Sequence, residues 1–250
     1  MTLILSACLP FASTPPTATP LPMDTSTPTP TIVWFPASAT PTHLIFPTYT
    51  ATPEMKPGVA SETLVDNFSD KKLWDTAVSD QGSAAISRNR LSLAIQPGVY
   101  LASMRREGTF GNFYAEITAR PSLCRGTDNY GVIVRSVGSS YYRFVLSCNA
   151  LVRAERVNGG IRLPLGEPLP SGDAPRGAPG EVRIGIWAVG SEMRLFLNDR
   201  YQFGIKDKSF PSGAIGVFVR SEGEAPMSVT FSDLKVYDVS YVPPTSTPLP

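Results

Sequence analysis

The chain has a single histidine among its 250 residues, and that residue, His43, lies in a stretch rich in proline and threonine. Imidazole commonly activates a serine or cysteine nucleophile and commonly ligates zinc. The sequence also has no run of about 20 apolar residues, the length that a membrane-spanning helix requires. These shortages argue against histidine-based catalysis, histidine-ligated zinc and a membrane span.

Charge of either sign is sparse and evenly spread. The chain carries 22 basic and 21 acidic residues, with a net charge of +1. Proteins that bind nucleic acids normally show a basic stripe that meets the phosphate charge. We therefore expect no nucleic-acid partner.

Proline is abundant, and its distribution divides the chain. Residues 9–60 are rich in proline and threonine and hold only three charged residues, Asp24, Glu54 and Lys56. Such a segment buries too little apolar surface to offset the entropy of ordering it, and frequent prolines favour an extended spacer. We predict a disordered linker over 9–60, one domain over 61–240 and a similar tail over 241–250. Whether the apolar islands at 32–35 and 44–46 dock on the domain stays open.

The first eight residues end in Leu5-Ser6-Ala7-Cys8, which resembles the bacterial lipobox. The resemblance implies that the Cys8 sulfur is diacylated after cleavage of a signal over residues 1–8, although no Lys or Arg precedes the apolar run. A long Pro/Thr spacer directly after the cysteine fits that arrangement. We expect an extracytoplasmic protein that a lipid anchors to the bacterial cell surface; the alternative is a chance match of four residues.

Two cysteines remain if Cys8 is lipidated, namely Cys124 and Cys148. An even number of cysteines in an oxidising compartment favours a disulfide, which would contribute about 3 kcal/mol in the loop-entropy treatment. Two buried free thiols are the alternative.

From Leu64 onward, apolar and polar residues alternate with frequent turn signals, which indicates strands. Phe113, Ala115, Ile117 and Ala119 define one face of such a strand, and Asn198-Asp199 marks a tight hairpin. No long window favours a helical period. About twelve to fourteen short strands in one domain fit an all-β, two-sheet antiparallel sandwich.

Five segments, taken in order, resemble the concanavalin A-like jelly-roll domains, the group that includes laminin G-like and 3-keto-disaccharide-hydrolase-like modules. The segments are Asp66-Asn67-Phe68-Ser69-Asp70 before Trp74, residues 129–135 with 141–144, the hairpin at 195–200, Gly213-Ala214-Ile215-Gly216-Val217, and residues 229–236. The resemblance covers residues 64–238. It implies a jelly-roll sandwich, a fold that hosts lectins, adhesion modules and glycosidases alike.

The residues favour a binding surface over a catalytic one. Retaining glycosidases need two carboxyl groups about 5 Å apart, whereas the strand from Tyr114 to Arg120 offers Glu116 alone. If Tyr142 and Phe144 face the core, Arg135, Tyr141 and Arg143 face outward, and Tyr114 and Glu116 join them if their strand is adjacent. Arginine, glutamate and aromatic groups suit sugar recognition. The candidate ligand-binding residues are Tyr114, Glu116, Arg135, Tyr141, Arg143 and Trp187; a solvated surface is the alternative for the set, and core packing for Trp187.

Carboxylates at the two ends of the domain suggest one metal site. Asp66, Asp70 and Asp233 could supply oxygen ligands to calcium if the first and last strands meet. Asp70 could equally cap a turn. Apart from this possible calcium, the sequence implies no cofactor.

The sequence therefore predicts a surface lipoprotein whose single domain binds carbohydrate or cell-wall polysaccharide without catalysis. A polysaccharide hydrolase or lyase is the first alternative. A structural or protein-adhesion module without a sugar site is the second.

Overall fold

The computed structural model describes residues 54–241, so Cys8, most of the linker and the tail from residue 242 lie outside the described residues. Sixteen strands and one short 3-10 turn (Lys71–Leu73) follow each other in this order: β1 (Val59–Asp66), β2 (Ala77–Ser79), β3 (Gly82–Ser87), β4 (Arg90–Ile95), β5 (Tyr100–Met104), β6 (Phe113–Leu123), β7 (Asn129–Val137), β8 (Ser140–Ser147), β9 (Leu151–Asn158), β10 (Ile161–Pro164), β11 (Leu169–Pro170), β12 (Val182–Val189), β13 (Glu192–Leu197), β14 (Arg200–Lys206), β15 (Ala214–Arg220) and β16 (Met227–Val239).

The strands form two antiparallel sheets. The nine-stranded sheet has the order β14-β13-β12-β6-β16-β4-β3-β2, with β1 paired to β16, and the seven-stranded sheet has the order β10-β9-β8-β7-β15-β5, with β11 paired to β9. The predicted all-β sandwich is confirmed. The strand number is higher than predicted because β2, β10 and β11 have two to four residues, too few to show alternation.

The core lies between the sheets, where the alternating apolar side chains of both inner faces meet. Phe113, Ala115 and Ile117 of β6 face Val132, Phe144 and Val217 of the other sheet in one buried cluster. The predicted inward face of β6 is therefore confirmed. Within residues 54–241 no helix has the length and apolar character needed to cross a membrane.

The hairpin predicted at Asn198-Asp199 joins β13 to β14. Both residues have positive φ angles, 50° and 66°, which Asn and Asp tolerate better than other side chains and which match the twist of paired strands. The local sequence thus specifies this connection.

The predicted disulfide between Cys124 and Cys148 is confirmed, with the two Cα atoms 5.5 Å apart. Cys124 follows β6 of the nine-stranded sheet, and Cys148 follows β8 of the seven-stranded sheet. The bond therefore joins the two layers of the sandwich at one end.

Candidate functional site

The six predicted ligand-binding residues are divided between opposite faces of the sandwich. Tyr114 and Glu116 lie on β6 and Trp187 on β12, in the nine-stranded sheet, whereas Tyr141 and Arg143 lie on β8 of the seven-stranded sheet. The condition under which Tyr114 and Glu116 would join the other residues is not met, because β6 pairs with β12 and β16. Strand adjacency depends on topology, which alternation along one strand does not encode.

Arg135 does not face outward as predicted, because β7 contains a bulge at this position. The register of β7 against β8 shifts after Val134, and Arg135 has a φ of 51°, so the alternation ends there. Its side chain is 0% exposed. The guanidinium donates hydrogen bonds to the carbonyls of Gly111 (2.8 Å), Gly190 (2.8 Å) and Phe210 (3.4 Å), and burial lowers the pKa of Arg135. Arg135 thus joins three loops.

Replacing Arg135 by Met is expected to lower the free energy of unfolding by about 2 kcal/mol, because it removes three hydrogen bonds from a charged donor to partly buried carbonyls. Urea denaturation followed by tryptophan fluorescence measures the change. Arg90→Met, at an exposed hairpin position, is the matched control and should stay within about 0.5 kcal/mol of the wild type. Equal stability of the two variants would contradict the joining role.

Part of the outer face of the nine-stranded sheet, over β12 and β13, is covered by the chain itself. We call the segment Met55–Gly58 the strap. Trp187 Nε1 donates a hydrogen bond to the Pro57 carbonyl (3.0 Å), and Arg194 Nη1 donates one to the Met55 carbonyl (2.8 Å). Trp187 is 0% exposed as a result. It packs as a buried residue, the alternative that the sequence left open for it.

Tyr114 and Glu116 lie beside the strap. The Lys56 ammonium is 4.8 Å from the centre of the Tyr114 ring and forms an ion pair with Asp199. Among residues 54–241 the Glu116 carboxylate has long contacts, 3.5 Å from the Tyr114 hydroxyl, 3.4 Å from that of Tyr237 and 3.8 Å from Arg183 Nε. Burial, followed by the nearby charge of Glu116, raises the pKa of Tyr114. Tyr114 and Asp199 thus hold Lys56 of the strap in place.

The outer face of the seven-stranded sheet has a different character. The register places Phe218, Gly131, Val145 and Arg153 in one row across β15, β7, β8 and β9, and it places Gly216, Ile133, Arg143 and Glu155 in the next row. Paired residues of antiparallel strands share one face. Two arginines and one glutamate therefore stand beside apolar and aromatic side chains.

Glu155 is the centre of an ion-pair network on this face. Its Oε2 accepts a hydrogen bond from Arg143 Nε (2.6 Å) and its Oε1 accepts one from Arg153 Nε (2.7 Å). Arg153 Nη1 donates in addition to the Ser147 hydroxyl (3.2 Å). Burial raises the pKa of the Glu155 carboxyl, but the hydrogen bond from Arg153 and the charge of Arg143 outweigh it and hold the pKa below its usual value. Glu155 is thus ionised at neutral pH.

Aromatic rings border this network. The Arg143 guanidinium lies 5.1 Å from the Phe218 ring centre and 5.8 Å from that of Tyr100. The hydroxyls of Tyr100 and Tyr141 meet at 3.2 Å, although β15 and β7 lie between their strands. The Phe218 ring can lie across β7 because residue 131 is glycine; a Cβ there would overlap the Phe144 carbonyl oxygen and approach the ring to 3.2 Å.

One end of this face presents further polar groups. The row beyond Phe218, Gly131 and Val145 consists of Arg220, Asn129 and Ser147. Arg220 Nε lies 2.6 Å from Glu222 Oε1. Asn129 is 1% exposed, and its side-chain oxygen has no hydrogen-bond donor among residues 54–241. Buried polar atoms are normally paired, so this oxygen is an unsatisfied acceptor beneath the surface of this face. We call Tyr100, Asn129, Tyr141, Arg143, Ser147, Arg153, Glu155, Phe218 and Arg220 the candidate site.

The predicted calcium site is not formed. Among residues 54–241 no three acidic, histidine or cysteine side chains are arranged to hold a metal ion. Asp66 instead accepts hydrogen bonds from Trp74 and Arg105, Asp70 caps the 3-10 turn through the Lys72 amide, and Asp233 accepts one from Ser232. Each of the three carboxylates thus accepts at least one hydrogen bond from within the protein.

Sequence reasoning missed seven residues of the candidate site, namely Arg153, Glu155, Tyr100, Phe218, Asn129, Ser147 and Arg220. For the first two a signal was present, because the apolar residues Val152 and Ala154 alternate with Arg153 and Glu155 over β9. Opposite charges two residues apart on one strand share a face. Tyr100 and Phe218 carry no such local signal, since their role depends on which strands become neighbours.

Comparison with solved structures shows the fold. The carbohydrate-binding module CBM66 of Bacillus subtilis aligns with a TM-score of 0.55 and 15% identity over 66% of this chain and 96% of that one. A Bacillus subtilis protein of unknown function with a galectin-like fold aligns with a TM-score of 0.53 and 14% identity over 72% of this chain and 97% of that one.

The catalytic domain of an endo-1,3-beta-glucanase (laminarinase) of Thermotoga petrophila aligns with a TM-score of 0.52 and 9% identity, over 72% and 98% of the two chains. No protein-family model matches the sequence, and no curated protein is similar to it. The predicted concanavalin A-like jelly roll is confirmed as a fold.

Proposed function

We propose that the domain binds carbohydrate without catalysis at the outer face of its seven-stranded sheet. The observation that carries this proposal is the Arg143–Glu155–Arg153 network beside the accessible rings of Tyr100 and Tyr141. The Phe218 ring on the same face is 0% exposed and supports the Arg143 guanidinium from within. Aromatic rings pack on the C–H faces of sugars, and guanidinium and carboxylate groups exchange paired hydrogen bonds with hydroxyls. Arginine, glutamate and aromatic side chains, the three kinds that the sequence predicted for the site, are thus present. Of the six predicted ligand-binding residues, only Tyr141 and Arg143 belong to it.

The chemistry of Glu155 favours binding over hydrolysis. A general acid at neutral pH requires a raised pKa, whereas two arginines hold the pKa of Glu155 low. The fold is similar to that of a carbohydrate-binding module and to that of a laminarinase domain, which supports a glycan ligand. Because one of these proteins is a catalytic domain and the other is a binding module, the fold does not distinguish the two roles, and the pKa of Glu155 is the argument for binding.

The position of the strap supports presentation at a surface. The strap lies on the outer face of the nine-stranded sheet, opposite the candidate site, and the Ser240 amide donates to the Gly58 carbonyl. The described part of the chain therefore has its first residues, in the strap, and its last residues, beside Ser240, on the side away from the site. We propose that a lipid on Cys8 and the linker hold the protein at the bacterial cell surface with the site facing outward.

Replacing Tyr100 by Ala is expected to weaken glycan binding by about tenfold or more, because it removes a ring that is 36% exposed at the site. A glycan array with the full chain identifies ligands, and isothermal titration calorimetry then compares the variants. Tyr201→Ala removes a ring of similar exposure, 41%, from the nine-stranded sheet and should bind as the wild type does. The proposal fails if no glycan binds, or if Tyr201→Ala weakens binding as much as Tyr100→Ala.

A further inference from the structure

Two guanidinium groups share a single carboxylate at the candidate site. Arg143 and Arg153 each direct Nε at a different oxygen of Glu155, at 2.6 Å and 2.7 Å. Arg143 is 2% exposed. One carboxylate neutralises one guanidinium, so the pair of arginines leaves one positive charge beside the buried Arg143 and the partly exposed Arg153, whose side chain is 19% exposed.

The other charged groups near this place do not supply the missing negative charge. Arg220 engages Glu222 in a pair of its own. Asp128, in the loop before β7, is buried, and its oxygens accept hydrogen bonds from the backbone amides of Arg125, Glu222 and Gly223. Within residues 54–241 the carboxylate partner of Arg143 and Arg153 is Glu155 alone.

The arginines also retain unused donors. Arg153 uses Nε for Glu155 and Nη1 for Ser147, and the structure assigns no acceptor within the described residues to its Nη2. Arg143 Nη2 lies 2.5 Å from the Glu155 oxygen that Nε already engages but forms no aligned hydrogen bond. A guanidinium has five N–H donors in a planar arrangement that matches a carboxylate.

We infer that the candidate site selects glycans bearing a carboxylate, such as those built from uronic acids. The acid group would compensate the unpaired guanidinium charge and accept from the free N–H groups of Arg153, whose side chain is 19% exposed, while the sugar ring packs on Tyr100. This inference rests on the proposed function, because it names the class of sugar that the same face binds.

The other sheet provides a matched arginine. Arg120, on the outer face of the nine-stranded sheet, places Nε 2.7 Å from Glu181 Oε2 and Nη1 2.6 Å from the Ser232 hydroxyl. These contacts repeat those of Arg153 with Glu155 and Ser147. The difference is that Arg120 has a carboxylate to itself, since no second arginine among residues 54–241 pairs with Glu181. Arg120→Gln is therefore a control for the loss of one partly buried arginine.

The test compares binding of the full chain to polygalacturonate, alginate and hyaluronan with binding to the carboxyl-reduced form of each polymer. We expect at least one acidic polymer to bind about tenfold or more tightly than its reduced form, and this preference to weaken as salt is added. Arg153→Gln should remove the preference, Arg153→Lys should retain part of it, and Arg120→Gln should leave it unchanged. Thermal unfolding of each variant confirms that it is folded.

The outcomes separate this inference from the proposed function. Equal binding of acidic and reduced polymers, or binding to neutral glycans only, would overturn the preference for acids and keep the carbohydrate-binding role. An acid preference that survives in Arg153→Gln would also overturn the inference, because the charge would then lie elsewhere. Binding to no glycan of any kind would overturn both.

Discussion

Replacing Asp66 by Asn should lower the free energy of unfolding by about 3 to 5 kcal/mol, because it breaks a buried ion pair from one side. Asp66 Oδ2 accepts from Arg105 Nε and from Trp74 Nε1, both at 3.0 Å, and Oδ1 accepts from the Phe68 amide at 2.9 Å. The side chains of Asp66 and Arg105 are 3% and 7% exposed. The neutral amide would leave the Arg105 charge in the interior without its partner.

The matched control is Asp75→Asn, which removes the carboxylate of the Asp75–Arg106 pair. That pair has a similar distance, 2.9 Å, but its side chains are 52% and 57% exposed, so we expect a loss below about 1 kcal/mol. Urea denaturation measures both variants. A loss below 1 kcal/mol in Asp66→Asn would contradict the role of the pair. A drop in wild-type stability on addition of a chelator would instead support the calcium site that the sequence suggested.

Removing the disulfide by replacing Cys124 and Cys148 with Ala should lower the free energy of unfolding by about 3 kcal/mol. The bond closes a loop with a sequence separation of 24, and constraining such a loop in the unfolded chain accounts for a loss of this size. It also joins strands of different sheets, so the loss acts on the whole sandwich.

Reductant supplies the internal control for this prediction. Dithiothreitol should lower the stability of the wild type to that of the double variant and should leave the variant itself unchanged. The control requires a thiol assay that shows the disulfide to be fully reduced. If the reduced wild type then unfolds at the same urea concentration as the oxidised wild type, the bond contributes little to stability.

The first segment that resembles concanavalin A-like domains, from Asp66 to Trp74, holds residues that surround the buried Asp66–Arg105 ion pair. The sequence resemblance at the start of the domain includes Asp66, Phe68 and Trp74. In the structure the rings of Phe68 and Trp74 stack with their centres 5.0 Å apart, and Asp66 accepts a hydrogen bond from the indole N–H. The sequence contained the residues, but Arg105, the fourth member, lies 39 positions from Asp66. Their association required the fold.

The candidate site illustrates where prediction from sequence ended. Arg143 and Tyr141 were placed on the correct face because β8 alternates without interruption from Ser140 to Ser147. Arg135 was assigned to that face wrongly, because a bulge reorients its side chain. Trp187 lies on the outer face, as the alternation along β12 predicts. It is nevertheless buried, because the strap, which lies 130 positions from it in the sequence, packs on it.

The sequence by itself determined the strands, their turns, the disulfide partners and which side chains of a regular strand share a face. These properties are local, since alternation with period two and turn preferences act over a few residues. Only the tertiary structure decided which strands are neighbours, which part of an outer face is covered, and that Arg143 and Arg153 meet one carboxylate. Those outcomes depend on contacts between distant segments, and a chain with the same local pattern could pair its strands in another order.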